Sequence, residues 1–155
     1  MTDAKLKPYE YYMEILVNLA KKNPSAPFAA MIVDANSGEI LCQGLNNSPE
    51  NPTLHGEVVA INNFSRLFPY RRFQDTILIT TAETCPMCAS AIVWAKISTM
   101  VYGTSIPFLT ENGWGQIQIR AEEVFRQSSS FFKGKIVGGV LHEKTDPLFI
   151  RGTGK

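Results

Sequence analysis

Apolar residues in this chain recur with two different periods, and the two kinds of segment alternate. Tyr9, Tyr12, Met13, Leu16, Leu19 and Ala20 fall three or four apart, one stripe of a helix that ends near the KKNPSAP stretch. FAAMIVDA (28–35) and EILCQGLN (39–46) are short apolar runs joined by NSG, a hairpin pattern. NSPENPT is a loop of turn formers. Leu54, Val58, Ile61 and Phe68 then predict a second helix with Thr53 as its N-cap. DTILIT reads as a buried strand, and TAET leads into a third helix with Cys88, Ala91, Ile92 and Ala95 on one face. Pro86 is tolerated in that helix because its missing N–H falls in the first turn. STMVYG is a fourth strand, and Thr104 to Gln118 is a long loop punctuated by Gly and Pro. IRAEEVFRQ is a short helix, GKIVGGVL a last strand, and HEKTDPLF a weak closing helix that Pro147 disturbs. Strands alternating with helices imply an α/β domain layered around one sheet.

The length of 155 residues fits a single domain, 1–155, able to bury a core without disulfides. With 45% hydrophobic and 19% charged residues, the composition is that of a folded protein and not a disordered one. Fifteen basic residues face fourteen acidic ones, so the excess of positive charge expected of a protein that grips long nucleic acid is missing. Arg71-Arg72 reads as a solvated corner before a strand. The first twenty residues lack a basic-then-apolar signal layout, and no window approaches the roughly 20 apolar residues that span a bilayer. The expectation is a cytoplasmic protein with no membrane partner, in which the three cysteines stay reduced.

Two clusters carry the chemistry. HGE occupies 55–57, and CPMC follows at 85–88. Zinc binds thiolate and imidazole, and a catalytic site uses three protein ligands and keeps one position open. His55, Cys85 and Cys88 supply three such ligands, each near a helix start where partial positive charge favours thiolate over thiol. Zinc with two thiolates and a neutral imidazole sums to zero charge, and the metal can lower the pKa of a bound water from about 15.7 toward about 7. Glu57, two residues beyond His55, is placed to take that proton and hand it on, general acid–base work by one carboxylate. Taken alone, H-x-E carries little information, and C-x-x-C opening a helix after a strand also fits a redox pair. The redox reading leaves His55 and Glu57 unused. A structural zinc would need a fourth ligand from Cys42, which reads as a small buried strand residue, or His142, which reads as a surface or capping group.

The motifs PFAAMIV, GLNNS, NPTLHGEVVAI, TCPMCASAIVWA and GGVL, in that order, resemble the cytidine-deaminase-like superfamily of zinc hydrolases, whose H-x-E…P-C-x-x-C signature marks nucleobase deaminases. The resemblance covers nearly the whole chain. It implies a three-layer α/β/α fold with a five-stranded mixed sheet and helices on both faces. It also implies one zinc per chain on His55, Cys85 and Cys88, with Glu57 as proton carrier. Asn46 matches an asparagine that hydrogen-bonds the base, and the backbone N–H of Cys85 is placed to steady the attacking oxygen. Relatives are commonly homodimers. Two departures stand out. Gly56 replaces the usual alanine or valine and removes a methyl from the expected pocket floor, while Thr84 replaces the usual proline and is expected to cap the helix with its hydroxyl.

PFAA and CPMCASAIVWA look most like the guanine and purine-nucleoside deaminases. Phe28 and Trp94 would then hold a flat ring between aromatic faces. That branch carries an acidic residue after the fourth strand, where Glu111 is available without the surrounding motif. The main alternative is deamination of adenosine in tRNA, which would call for a basic face or tail, whereas DPLFIRGTGK holds one Arg and one Lys. Cytosine-type deamination ranks third.

Overall fold

A computed structural model describes residues 4–151; the end of the tail that carries Lys155 lies outside the described residues. The chain opens with helix α1 (Tyr9–Ala20), then strands β1 (Ala29–Asp34) and β2 (Ile40–Leu45). Helix α2 (Gly56–Leu67), strand β3 (Thr76–Ala82), helix α3 (Pro86–Ala95) and strand β4 (Thr99–Thr104) follow. Short elements complete the fold: α4 (Ile106–Glu111), α5 (Ala121–Gln127), β5 (Lys135–Val137), and α6 (His142–Thr145) running into a 3-10 turn over Asp146–Phe149.

The five strands lie in the order β2-β1-β3-β4-β5. β1 is antiparallel to both neighbours, while β3, β4 and β5 are parallel, so the sheet is mixed. Side chains alternate across β1. Ala29, Met31 and Val33 pack with Tyr12, Met13 and Leu16 of α1, whereas Ala30 and Ile32 pack with Ala60 and Phe64 of α2 and Ala89 and Ile92 of α3. Helices on both faces bury every residue of β1 and β3, which explains their unbroken apolar or small-residue runs. Gly38, at φ +75°, makes the hairpin turn between β1 and β2, where a side chain would meet the carbonyl of Lys5 at 2.5 Å.

Five local expectations are corrected. α2 begins with His55 at its N-cap, not Thr53, whose hydroxyl instead donates to Asn51 Oδ1 at 2.9 Å. Its buried face is Gly56, Glu57, Ala60 and Phe64, with Val58 and Ile61 only half-buried. A charged and a side-chain-free residue point inward, so an apolar tally rotates the stripe. In α3 the buried residues are Cys88, Ala89, Ile92 and Val93, with Ala91 and Ala95 half-buried. The 104–118 stretch is not all loop, because Ser105 caps α4, its hydroxyl accepting from the N–H of Phe108 at 3.3 Å, and Pro107 sits in the first turn. The last strand is only three residues long and stops before Gly138-Gly139.

Candidate metal centre and its cavity

His55 and Cys85 occupy equivalent positions. Each is the extended residue just ahead of a helix, His55 at φ −67°, ψ 157° before α2 and Cys85 at φ −65°, ψ 168° before α3. The first N–H groups of a helix have no partner within it, so both residues sit at partially positive ends. Because α2 and α3 cover the same face of the sheet, these two ends meet beyond the end of β3. His55 Nδ1 lies 3.5 Å from the Sγ atoms of both Cys85 and Cys88, and the three donor atoms are all within 4.8 Å of one another.

These spacings fit zinc. Zn–S bonds of about 2.3 Å and Zn–N bonds of about 2.0 Å at tetrahedral angles give an N···S edge of about 3.5 Å. Among the described residues no fourth His, Cys, Asp or Glu joins the group. Cys42 is buried in β2, where its thiol donates to the carbonyl of Ala60 at 3.2 Å and is pushed up to about 11 by burial. His142 is exposed, with Nδ1 3.3 Å from Asp146. Hydrogen bonds from Cys88 and His55 push the Cys85 thiol down to about 4, while Cys88 is raised, first by its bond to Cys85 and then by burial. The imidazole of His55 is raised, chiefly by its hydrogen bond with Cys85. A divalent cation binds both cysteines as thiolates, so metal binding here would be coupled to loss of any thiol proton.

Glu57, 3% exposed, points into the same space from the first turn of α2. Thr80 of β3 donates its hydroxyl to Glu57 Oε1 at 2.9 Å. Burial, followed by the charge of Cys85, raises the Glu57 carboxyl above the ordinary carboxylate value.

His55, Glu57 and Cys85 border a cavity of about 210 Å³ whose remaining walls include Phe28, Asn46, Glu83, Trp114 and Gln116. Asn46 Oδ1 accepts from the N–H of Ser48 at 3.0 Å and from its hydroxyl at 2.8 Å, which leaves the amide N–H groups of Asn46 without a partner among the described residues. The Phe28 ring meets Trp114 edge to face, with centroids 5.2 Å apart, and Phe149 at 4.9 Å.

Several residues stand elsewhere than the sequence suggested. Trp94 is 72% exposed on the outer side of α3, stacked on Phe131 with centroids 5.2 Å apart. It lines a separate, larger groove of about 590 Å³ that holds none of the cluster's ionisable groups. The indole in the cavity is that of Trp114, which lies in the irregular stretch after α4, where no apolar period singles it out. Gly56 is not on the cavity wall. It is the contact between α2 and β1's entry, where a Cβ would sit 2.6 Å from the carbonyl oxygen of Phe28. Glu111 is exposed at the end of α4, and the acidic group beside Glu57 in the cavity is Glu83, which sequence reading passed over. Thr84 does not cap α3, since its buried hydroxyl has no hydrogen-bond partner.

Residues 6–104 match the family described as the cytidine and deoxycytidylate deaminase zinc-binding region. The chain belongs to this family. The deaminase is 34% identical to the guanine deaminase of Bacillus subtilis over 112 residues, 68% of this chain and 70% of that one. It is 28% identical to the tRNA-specific adenosine deaminase of Rickettsia bellii over 136 residues, 86% of this chain and 89% of the relative. The solved guanine deaminase from Nitrosomonas europaea superposes with a TM-score of 0.81 at 20% identity, covering 94% of this chain and 84% of that one. At that identity the likeness speaks for the fold. The family supports hydrolytic deamination, and its zinc-binding character agrees with the donor spacing of His55, Cys85 and Cys88. Among the described residues no helix is long and apolar enough to cross a membrane.

Proposed function

We propose that this deaminase acts on a purine, guanine or guanosine, replacing a ring C–NH₂ by C=O with one water consumed and one ammonia released, and that each chain holds one zinc on His55, Cys85 and Cys88. A zinc ion there supplies Lewis acidity that makes water nucleophilic near neutral pH. Glu57 takes one proton from water and delivers it to the ring nitrogen beside the reacting carbon, then takes the second from the added hydroxyl and gives it to the amine, which leaves as ammonia while C=O forms. A carboxyl whose proton affinity is raised by burial can serve both as base and as acid. Thr80 fixes the orientation of Glu57 through Oε1. The N–H of Cys85 steadies the oxygen that replaces the amine, and the free amide N–H groups of Asn46 donate to the base.

The observation that carries this reading is the placement of a buried, hydrogen-bonded Glu57 on the same cavity wall as two of the three donors. The purine preference rests on the 34% identity with a guanine deaminase, and the cavity's size and lining agree with a single flat base. At about 210 Å³ the cavity suits a single base with any sugar outside it, below the roughly 300–1,000 Å³ of drug-sized sites. The Phe28–Trp114 corner offers aromatic surface to a flat ring. The tRNA-specific relative supports a second reading, adenosine in an RNA loop, since a flipped base needs the same cavity. An ammonia-release panel of guanine, guanosine, adenine, adenosine, cytosine, cytidine and a tRNA anticodon stem-loop separates them. Turnover of guanine or guanosine is expected, and activity on the stem-loop alone would reverse the order.

The same reading includes a homodimer. The exposed apolar groove of Trp94, Ile119 and Phe131 supports it as a surface that association would cover. Sedimentation at micromolar concentration checks this, with twice the chain mass expected.

A further inference from the structure

Between β4 and α5 the chain makes an excursion that passes the cavity and contributes Trp114, Gly115 and Gln116 to its wall. Both ends of this excursion fasten to one carboxylate. The N–H of Ile106, at its start, donates to Glu83 Oε1 at 2.9 Å, and the N–H of Ala121, at its end, donates to Oε2 at 2.9 Å. Nε of Arg120 reaches both oxygens, at 3.0 and 2.9 Å, and its Nη2 reaches the hydroxyl of Tyr102 at 3.3 Å. Glu83 is 4% exposed and stands two residues before Cys85. A second fastening lies at the tip, where Trp114 Nε1 donates to the carbonyl of Phe149 at 2.7 Å.

We propose that Glu83 is a positioning residue for substrate: it ties the Trp114–Gln116 wall to the strand end that carries Cys85, so that the surface holding the base and the metal donors keep one fixed separation. Its two oxygens are filled by the N–H groups of Ile106, Arg120 and Ala121, which leaves it poorly placed to carry protons and well placed to hold backbone. An amide in its place can satisfy only one side, because its NH₂ would face a donor where an oxygen now accepts. The inference rests on the deaminase reading for its kinetic readout and on geometry alone for its structural one.

The test is Glu83→Gln in the zinc-loaded enzyme, assayed on the best substrate of the panel, together with zinc content and the rate of chymotryptic cleavage after Trp114. Zinc content equal to the parent's is expected, with KM raised about tenfold or more, kcat within about threefold, and faster cleavage at Trp114. A folded variant with unchanged KM and unchanged cleavage overturns the proposal. So does a fall in kcat at constant KM, which would put Glu83 in the chemistry. If Glu83→Gln does not fold, Arg120→Ala carries the test, since that side chain is 41% exposed and its loss removes the guanidinium's bonds while the N–H groups of Ile106 and Ala121 stay on Glu83; a smaller KM rise is expected, and none overturns the proposal. A parent enzyme inactive on the whole panel would defeat the deaminase substrate reading, while the cleavage comparison would still decide the role of Glu83.

Discussion

Thr80 and Glu57 meet across 2.9 Å, a hydroxyl of the central strand donating to a carboxylate on the first turn of α2. Both are buried, so the bond is not exchangeable for water. Thr80→Val keeps the volume and removes the donor. We expect zinc content and KM to hold while kcat drops about tenfold, because a proton carrier held at one oxygen fewer spends less time in line with the reacting atoms. Steady-state kinetics with metal analysis checks this, and parent-like kcat would show that packing alone orients Glu57.

Gly56 touches backbone where a side chain has no room. An added Cβ would lie 2.6 Å from the carbonyl oxygen of Phe28, and that oxygen also accepts the N–H of Asn46 at 3.0 Å. Gly56→Ala therefore displaces two cavity residues together. The expected outcome is a loss of about 1–3 kcal/mol in urea unfolding, the usual cost of overpacking, and a raised KM with zinc retained. A variant with unchanged KM would uncouple the helix contact from the cavity.

Thr84 buries a hydroxyl that has no partner among the described residues. An unpaired buried polar group costs about 1–3 kcal/mol. Thr84→Val, close in shape and without the hydroxyl, is expected to raise the denaturation midpoint. A lowered midpoint would mean that the hydroxyl is satisfied in solution.

Asp34 accepts N–H groups of Ser37 at 2.7 Å and Asn36 at 2.8 Å and pairs with Arg71. These bonds, the Ser37 one foremost, hold its carboxyl below its ordinary 3.8. A carboxyl lowered by folding stabilises fully above its unfolded pKa, and that stability is lost as pH falls through the folded value. Asp34→Asn should therefore cost about 2 kcal/mol at pH 7, and the difference from the parent should shrink below pH 3.8. Urea unfolding of both chains at neutral and acidic pH measures it. A difference that does not change with pH would mean that the charge of Asp34 contributes nothing.

The alternation of strands and helices, the hairpin and the family were legible because each rests on local pattern: period, turn residues and motif order. The convergence of His55 with Cys85 and Cys88 followed from two helix starts flanking one central strand. What escaped reading depends on tertiary contacts. Trp94 and Trp114 are equally aromatic in sequence, but the phase of α3 turns Trp94 to solvent, and fastenings at Glu83 and Phe149 bring Trp114 to the cavity. The inward face of α2 was misread because the site itself places Gly56 and Glu57 where apolar residues would otherwise pack.

Glu57→Gln, measured for zinc content and for kcat on the same preparation, tests the proposed proton route most directly. Parent-like zinc with kcat reduced by about 10³-fold is expected when one carboxylate carries every proton transfer. Retained zinc with near-parent turnover would contradict it.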